Sequence, residues 1–546
     1  MDTPRILITS ALPYVNNIPH LGNITGCVLP ADVIARYHRM NGRKVLFVCG
    51  ADEYGTATEV KAREEKVTPR ELCDKYYVQH KQIYEWFGIQ FDIFGRTSTP
   101  NPRTDAHYHT QISQDIFQRL SANGYLEERE VQQLFCPSIN RFVADRFIIG
   151  ICPKCGDDKA RGDQCDKCQA VYESTELFKP HLKGDDKALL EPRTSKHLFL
   201  RLDLLQPKIE TWFHSMKHKW AANAVSVTQE WLRKGLQPRC ITRDMEWGTP
   251  LPSGIQLEGS DHKVMYNWFD APIGYMSIAG SDHLDWWLNP STRLIQFMGI
   301  DNVPFHSILF PASLMGTGQS YTLVSEIASI HYLTYDGGKF SKTDNRGIFG
   351  DEVMKRGIHP DYWRYYLMKI RPEDALGPDG HQRGDANFSW SDFVLTCNAD
   401  LCKNLGNLVH RTFDLTHKYC GGSIDMSSTK LDSEIIQKRN DLVRKCEHAY
   451  ESNLIAAAIW RALDLCGVVN KYITESAPWS LNAKNGSDPK ITQIIATALN
   501  CVQSIILLFT PIIPDIATRM LSYVSNETHI ITVKPGFTPF FAPLKL

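Results

Sequence analysis

"ITSALPYVNNIPHLGNITG", residues 8–26, passes from an apolar run through two prolines into the tetrad His20-Leu21-Gly22-Asn23. Residues 6–11 read as a buried strand and residues 24–40 as a helix, so the segment joins a strand to a helix through a glycine-containing turn. Pro30 is expected to kink or restart that helix. A second strand, KVLFVCG at residues 44–50, ends on the small and acidic GADEYGT. Strand, turn, helix and strand open a doubly wound parallel sheet, whose ligands sit beyond the carboxyl ends of its strands. ALPYVNNIPHLGN and GADEYGT both fall at such ends and are expected to converge on one crevice.

The chain of 546 residues is too long for one core, and two to four domains are expected. Hydrophobic residues make up 43% and charged residues 22%, and no run reads as long enough to cross a membrane, which favours a soluble enzyme with no membrane partner. The start MDTPRILITS lacks the pattern of a signal peptide, so the cytosol is the expected compartment. A net charge of −1 leaves any nucleic acid to local surfaces.

The βα rhythm of residues 1–119 lapses over residues 120–239, where a cysteine cluster marks an insertion, and resumes over residues 240–330 with RCITRDMEWGTPLP, YNWFDAPIGYMS and LIQFMGIDNVPFH. Residues 331–392 carry YLTYDGGKFSK, read as a hairpin with an Asp-Gly-Gly turn leading into a lysine-rich loop. Residues 393–546 are almost purely helical up to about residue 522 and form a bundle, with no clear assignment after Pro535. The expected architecture is a Rossmann-like α/β domain split by a zinc-knuckle insertion, followed by an all-α domain.

Helix N-termini offer unpaired N–H groups that attract phosphate, Gly22 lets a ligand approach the backbone, and His20 and Asn23 add side-chain donors. Such a cradle stabilises charge developing on a phosphate. Lys339, Ser341 and Lys342, in Lys339-Phe340-Ser341-Lys342-Thr343, add two ammonium groups on a loop. Cys152, Cys155, Cys165 and Cys168 form C-x2-C-x9-C-x2-C, with Gly156 and Gly162 placed to let the knuckles turn. Four thiolates at that spacing close one structural Zn2+ site with no open position. Cys136, followed at the third position by Ile139, supplies no second knuckle, so one zinc is expected.

His-Leu-Gly-Asn after the first strand and Lys-Phe-Ser-Lys-Thr after the last form the two-part signature of the class I aminoacyl-tRNA synthetases. With GADEYGTATE, CITRDMEWGTP, YNWFDAPIGY, NVPFHSILFP and ESAPWSLNAK, the chain resembles the methionyl family of that class, eukaryotic cytosolic type, over nearly its whole length. Asn23 stands where many members carry histidine, and Thr343 where serine is usual. The resemblance implies ATP with Mg2+, methionine and tRNA(Met) as substrates and partners. It implies a methionine pocket of Leu12, Tyr14, Asp52, Trp268, Ala271, Pro272, Tyr275, Phe305 and His306, with Asp52 on the ammonium group and a Tyr or His donor marking the sulfur. ATP falls to Tyr14, His20, Gly22, Asn23, Gly299, Asp301 and Lys342, lying between the His20 and Lys339/Lys342 motifs. Catalytic roles fall to His20, Asn23, Arg243, Lys339, Ser341 and Lys342. The helical region is implied to read the anticodon through Asn407, Arg411 and Trp479. Two other readings stay open: a class I synthetase for another amino acid, and a non-catalytic, synthetase-like tRNA-binding protein.

Overall fold

The computed structural model describes residues 5–100, 106–162, 165, 167–168, 170, 172–185, 187–338, 340, 346–373, 384–481 and 489–545. The chain divides into two compact units. The first comprises Met1–Pro19, Lys44–Gln82 and Phe91–Ile327, and the second His20–Arg43, Ile83–Gln90 and Ala328–Leu546.

In the first unit Arg5–Ser10 is the central strand of the main sheet. It pairs in parallel with Lys44–Ala51 on one side, matching Leu7 to Leu46, and with Thr292–Gly299 on the other, matching Leu7 to Leu294. Ile93–Arg96 adds beyond Lys44–Ala51, and Glu326–Ile330 forms the opposite edge. Leu7, Ile8, Phe47, Val48, Ile295 and Phe297 are buried, the near-continuous apolar pattern of strands covered on both faces. Strand order reverses between Arg5–Ser10 and Thr292–Gly299, which defines the switch point where such sheets bind ligands.

Within the stretch read as an insertion, Leu126–Cys136 pairs antiparallel with Glu191–Leu200 along its length. A smaller sheet of Ala160–Arg161, Ile148–Ile151 and Phe178–Leu182 carries the cysteine cluster. Leu202–Met216 and Ala222–Lys234, in the same stretch, bury Leu205, Ile209, Phe213 and Leu232 in the core around the main sheet.

The second unit is mainly helical. Arg364 is fully buried at its centre: its Nη2 donates to Asp32 Oδ2 at 2.7 Å and to the Pro511 carbonyl at 2.9 Å, its Nε to the Ile512 carbonyl at 2.8 Å and its Nη1 to the Phe87 carbonyl at 3.0 Å. Satisfying the guanidinium this fully is what makes a buried charge tolerable. Contrary to the reading that no run could cross a membrane, Pro489–Phe509 is long and apolar enough to do so. Here it packs against Ile455–Ser476 and Asn407–Cys420, with Ile495, Leu499, Val502 and Phe509 buried. The tail after Pro535 also acquires a place: Phe537 packs against Phe413, Phe541 against Tyr362, and Asn398 exchanges hydrogen bonds of 2.8 and 2.9 Å with the Leu544 backbone.

The hairpin expected at YLTYDGGK reduces to a tight turn. Tyr335 and Gly338 exchange backbone hydrogen bonds across Asp336 and Gly337, both at positive φ, while Leu333–Tyr335 finds its ladder partner in parallel, at Ala386–Phe388.

Among the described residues, three helices contain π-helical segments. In Ile24–Val28 the Leu29 N–H bonds the Ile24 carbonyl, and in Phe305–Leu309 the Phe310 N–H bonds the Phe305 carbonyl, each a five-residue step. The next residues are Pro30 and Pro311, which have no N–H to continue the four-residue ladder. Pro30 thus restarts the helix through a register change. The third segment, Asn398–Gly406, has no such proline and leads into Asn407–Cys420. π-Helical turns recur at functional sites, and each of these borders or contains a residue singled out from the sequence.

Candidate active site

At the switch point of the first unit, Ala11, Leu12, Tyr14, Asp52, Asn267, Trp268, Ala271, Pro272, Tyr275, Asn302, Phe305 and His306 line one cavity of about 70 Å³. Nine of these are the residues assigned to methionine from the resemblance. They arrive from the ends of three strands and from a short helical stretch. Leu12 and Tyr14 follow Arg5–Ser10, Asp52 follows Lys44–Ala51, and Phe305 and His306 lie on the π-turn beyond Thr292–Gly299. The Asp52 N–H donates to the Pro13 carbonyl at 3.0 Å and the Val15 N–H to the Asp52 carbonyl at 3.4 Å, fixing the two loops to each other.

Asp52 is buried and its carboxylate is half satisfied. Oδ2 accepts from Asn267 Nδ2 at 3.0 Å, while Oδ1 is buried with no partner. Burial, and next the neighbouring Asp270 charge, push the Asp52 carboxyl well above the usual carboxylate range, against the pull of Asn267. Asp270 is held by Thr249 Oγ1 at 2.5 Å and His109 Nε2 at 3.2 Å. A bare, buried carboxylate oxygen in a cavity calls for a cation.

Tyr275, His306 and Asn302 form a relay. His306 Nδ1 lies 2.8 Å from the Asn302 carbonyl, which can only accept, so Nδ1 carries the proton. Burial lowers the His306 pKa to about 4, leaving the ring neutral and Nε2 an acceptor for the Tyr275 hydroxyl at 2.7 Å. Both donors are therefore spent. Neither is left for a thioether, against the expectation that Tyr275 or His306 donates to one. Trp268 is held by Nε1 donating to the Cys240 carbonyl at 3.0 Å and by Arg239 stacked 5.4 Å from its ring.

Gly299 and Asp301 follow the Thr292–Gly299 strand, with Asp301 exposed on the turn Ile300–Asn302. The structure places Arg243 elsewhere in the first unit. Its guanidinium stacks 4.2 Å from the Tyr266 ring and it lines a separate cavity of about 90 Å³ with Gln133, Asp145 and Met245.

In the second unit His20 caps the helix start: its Nδ1 accepts from the Asn23 N–H at 3.3 Å, and Asn23 Oδ1 accepts from the His20 N–H at 3.1 Å. Burial lowers the His20 pKa to about 4, so the ring is neutral with its proton on Nε2, a donor but not a cation. A Cβ on Gly22 would stand 2.9 Å from His20 Cε1 and Nδ1, so glycine is needed here to seat the histidine ring, a reason the sequence did not suggest. Phe340 stacks on His20 with centroids 4.7 Å apart and planes 10° apart, which joins the two signature motifs. Lys339, Ser341, Lys342 and Thr343 lie outside the described residues.

The four cysteine Sγ atoms lie within 4.8 Å of one another, with 3.8 Å between Cys152 and Cys168 and 3.6 Å between Cys155 and Cys165. Tetrahedral zinc with ~2.3 Å bonds separates its sulfurs by about 3.8 Å, so the donor set fits. The Lys154 and Cys155 N–H groups donate to Cys152 Sγ at 3.4 and 3.5 Å, and Gly156 turns the chain at φ +75°. Gly162 does not have positive φ; it lies against the Asp145 carbonyl instead.

Asn407 and Arg411 share a helical face. Arg411 donates to Thr474 Oγ1 at 3.2 Å and stacks 4.9 Å from the Trp479 ring, which is 42% exposed. Asn267 and Asn302 were missed from the sequence. Asn267 lies inside YNWFDAPIGY but shows no periodicity that would single it out from its neighbours, and Asn302, which opens NVPFHSILFP, acts through its backbone carbonyl.

This sheet order, with a ligand cavity at the switch point and His20 seated beside Phe340, defines a class I aminoacyl-tRNA synthetase fold. A family model for tRNA synthetases class I (M) matches residues 6–413, and one for the anticodon binding domain of methionyl tRNA ligase matches residues 421–532. The chain belongs to the class I tRNA synthetase (M) family. It is 44% identical over 525 residues to "Methionine--tRNA ligase, cytoplasmic" of Saccharomyces cerevisiae, covering 94% of this chain and 67% of that protein. It is 44% identical over 524 residues to the protein of that name from Homo sapiens, covering 94% of this chain and 56% of the human one, so it spans between about half and two thirds of these curated relatives. A crystal structure of Mycobacterium tuberculosis methionyl-tRNA synthetase bound by methionyl-adenylate shares the fold, with TM-score 0.78 and 20% identity over 99% of this chain and 100% of that one.

Proposed function

We propose that the protein is a cytoplasmic methionine–tRNA ligase. The methionine carboxylate attacks the α-phosphorus of Mg2+-bound ATP in line and pyrophosphate leaves; a terminal ribose hydroxyl of tRNA(Met) then attacks the methionyl carbonyl of the adenylate and AMP leaves. The observation that carries this reading is one cavity lined both by Asp52, whose Oδ1 is buried without a partner, and by Trp268, Tyr275, Phe305 and His306. A buried anion wants an ammonium group, and aromatic rings favour a polarizable sulfur by roughly 0.3–1.5 kcal/mol each. The half-reactions develop charge on the phosphate and on the anhydride carbonyl in turn, and no residue is required as a general base.

Within the first unit, Tyr14, Gly299 and Asp301 serve the nucleotide; Arg243, in its separate cavity beside Tyr266, takes no part at this site. Within the second, His20 Nε2–H, the backbone by Gly22, the exposed Asn23 side chain, Ser341 and the ammonium groups of Lys339 and Lys342 act on developing phosphate charge. Cys152, Cys155, Cys165 and Cys168 would hold one zinc ion, which ties the knuckle together without entering the chemistry. Asn407, Arg411 and Trp479 meet the anticodon.

ATP–pyrophosphate exchange across a panel of amino acids tests the reading. Methionine should support exchange far above leucine, valine and cysteine. Exchange with another amino acid in its place, or none with any, would overturn it.

A further inference from the structure

We infer that Asn267 completes the α-ammonium site by fixing the Asp52 carboxylate and offering its own Oδ1 as a second acceptor; this rests on methionine being the substrate. Asn267 opens the turn Asn267–Asp270, immediately before Trp268, and both it and Asp52 line the same cavity. Its amide is fixed by chemistry: a carboxylate can only accept, so Nδ2 must face Asp52 Oδ2, as it does at 3.0 Å, and Oδ1 turns the other way. Glycine at 55 leaves room for the side chain: a Cβ built there would stand 3.1 Å from Asn267 Cβ and Nδ2.

What remains is a pair of buried acceptors, Asp52 Oδ1 and Asn267 Oδ1, neither with a partner. Orphaned buried acceptors are costly. Two of them on bonded neighbours in one cavity match a ligand group with several donors and a positive charge. An α-ammonium has three N–H donors; an α-hydroxyl has one and no charge. Asn267 is thus a positioning and specificity-determining residue: it keeps Oδ2 occupied so that Oδ1 is presented, and it sets amine against hydroxyl.

The test uses the full chain, with Asn267→Val and Asn267→Ala as variants. Methionine-dependent exchange gives KM and kcat; L-methioninol, which keeps the amine, and 2-hydroxy-4-(methylthio)butanoate, which lacks it, serve as competitive inhibitors. Methionine KM and methioninol Ki should rise together by about tenfold, while kcat, the KM for ATP and the hydroxy-acid Ki stay within about twofold. An unchanged methioninol Ki, or equal loss of both inhibitors, overturns the inference, as does failure of both variants to fold, which would make the role structural. A wild-type protein inactive with methionine overturns the proposed function instead. A wild-type protein active with methionine, beside unmoved variants, overturns only the role of Asn267.

Discussion

Asp52 and Asn267 line a cavity at 4% and 9% exposure and leave two oxygens bare, whereas Trp479 is 42% exposed with the half-buried Arg411 stacked on its ring and bonded to Thr474. The difference follows from what each place pays to bind. In a dry pocket an unpaired carboxylate is destabilising, and a ligand ammonium relieves that cost on arrival, so recognition is stored as strain in the empty protein. On a surface water satisfies everything, so nothing is stored, and an aromatic face held flat by a cation is what a splayed base can use.

If the pocket stores its affinity this way, Asp52→Asn should gain stability and lose function together. Removing the charge across from the ammonium should cut kcat/KM for methionine by roughly 30- to 5,000-fold, about 2–5 kcal/mol. The empty variant should melt higher than wild type, because the buried charge is gone, and added methionine should stabilise only the wild type. Exchange kinetics and melting curves with and without methionine check both; a variant that melts lower would break the argument.

The second effect is the pH response of His306. Its pKa is about 4 folded, from an ordinary 6.5, so above pH 6.5 both states are neutral there and stability is fully present. As pH falls from 6.5 to 4 the unfolded chain takes up a proton that the folded chain refuses. Stability then declines, by about 3 kcal/mol at pH 4 and below from this group. His20 and His80, also lowered to about 4, add in the same direction. Urea midpoints between pH 7 and 4.5 should fall less steeply in His306→Gln than in wild type; equal slopes would mean that His306 is charged in the folded protein.

What the sequence made legible was local or periodic. The strands Arg5–Ser10 and Lys44–Ala51 announce themselves as apolar runs, and the cysteine spacing specifies its own site. The pocket was legible only through family resemblance, since its residues arrive from segments up to 295 positions apart (Ala11 to His306). Partner choice at a distance was not legible. Nothing near Arg364 indicates Asp32, 332 residues away, and nothing near Asn267 indicates Asp52, 215 away. The direction of a proton is further hidden: only the Asn302 carbonyl shows that the His306 and Tyr275 donors are spent.

The smallest effect tests the exposed half of the comparison. If Trp479 stacks an anticodon base while Asn407 and Arg411 meet base edges, Trp479→Ala should weaken charging of tRNA(Met) by about 1–3 kcal/mol, seen mainly as weaker tRNA binding. Methionine-dependent exchange should be unaffected, because that half-reaction needs no tRNA. Melting should barely change, since the ring is 42% exposed and its loss opens no closed cavity. The deficit should shrink on a tRNA whose anticodon is already wrong, where there is no correct contact to lose. A tryptophan that merely clamps Pro478–Leu481 onto the bundle predicts otherwise: a lower melting temperature, and the same loss for either tRNA. Charging of the two tRNAs, exchange and melting on one preparation separate the cases, and parallel loss in all of them would remove Trp479 from the anticodon face.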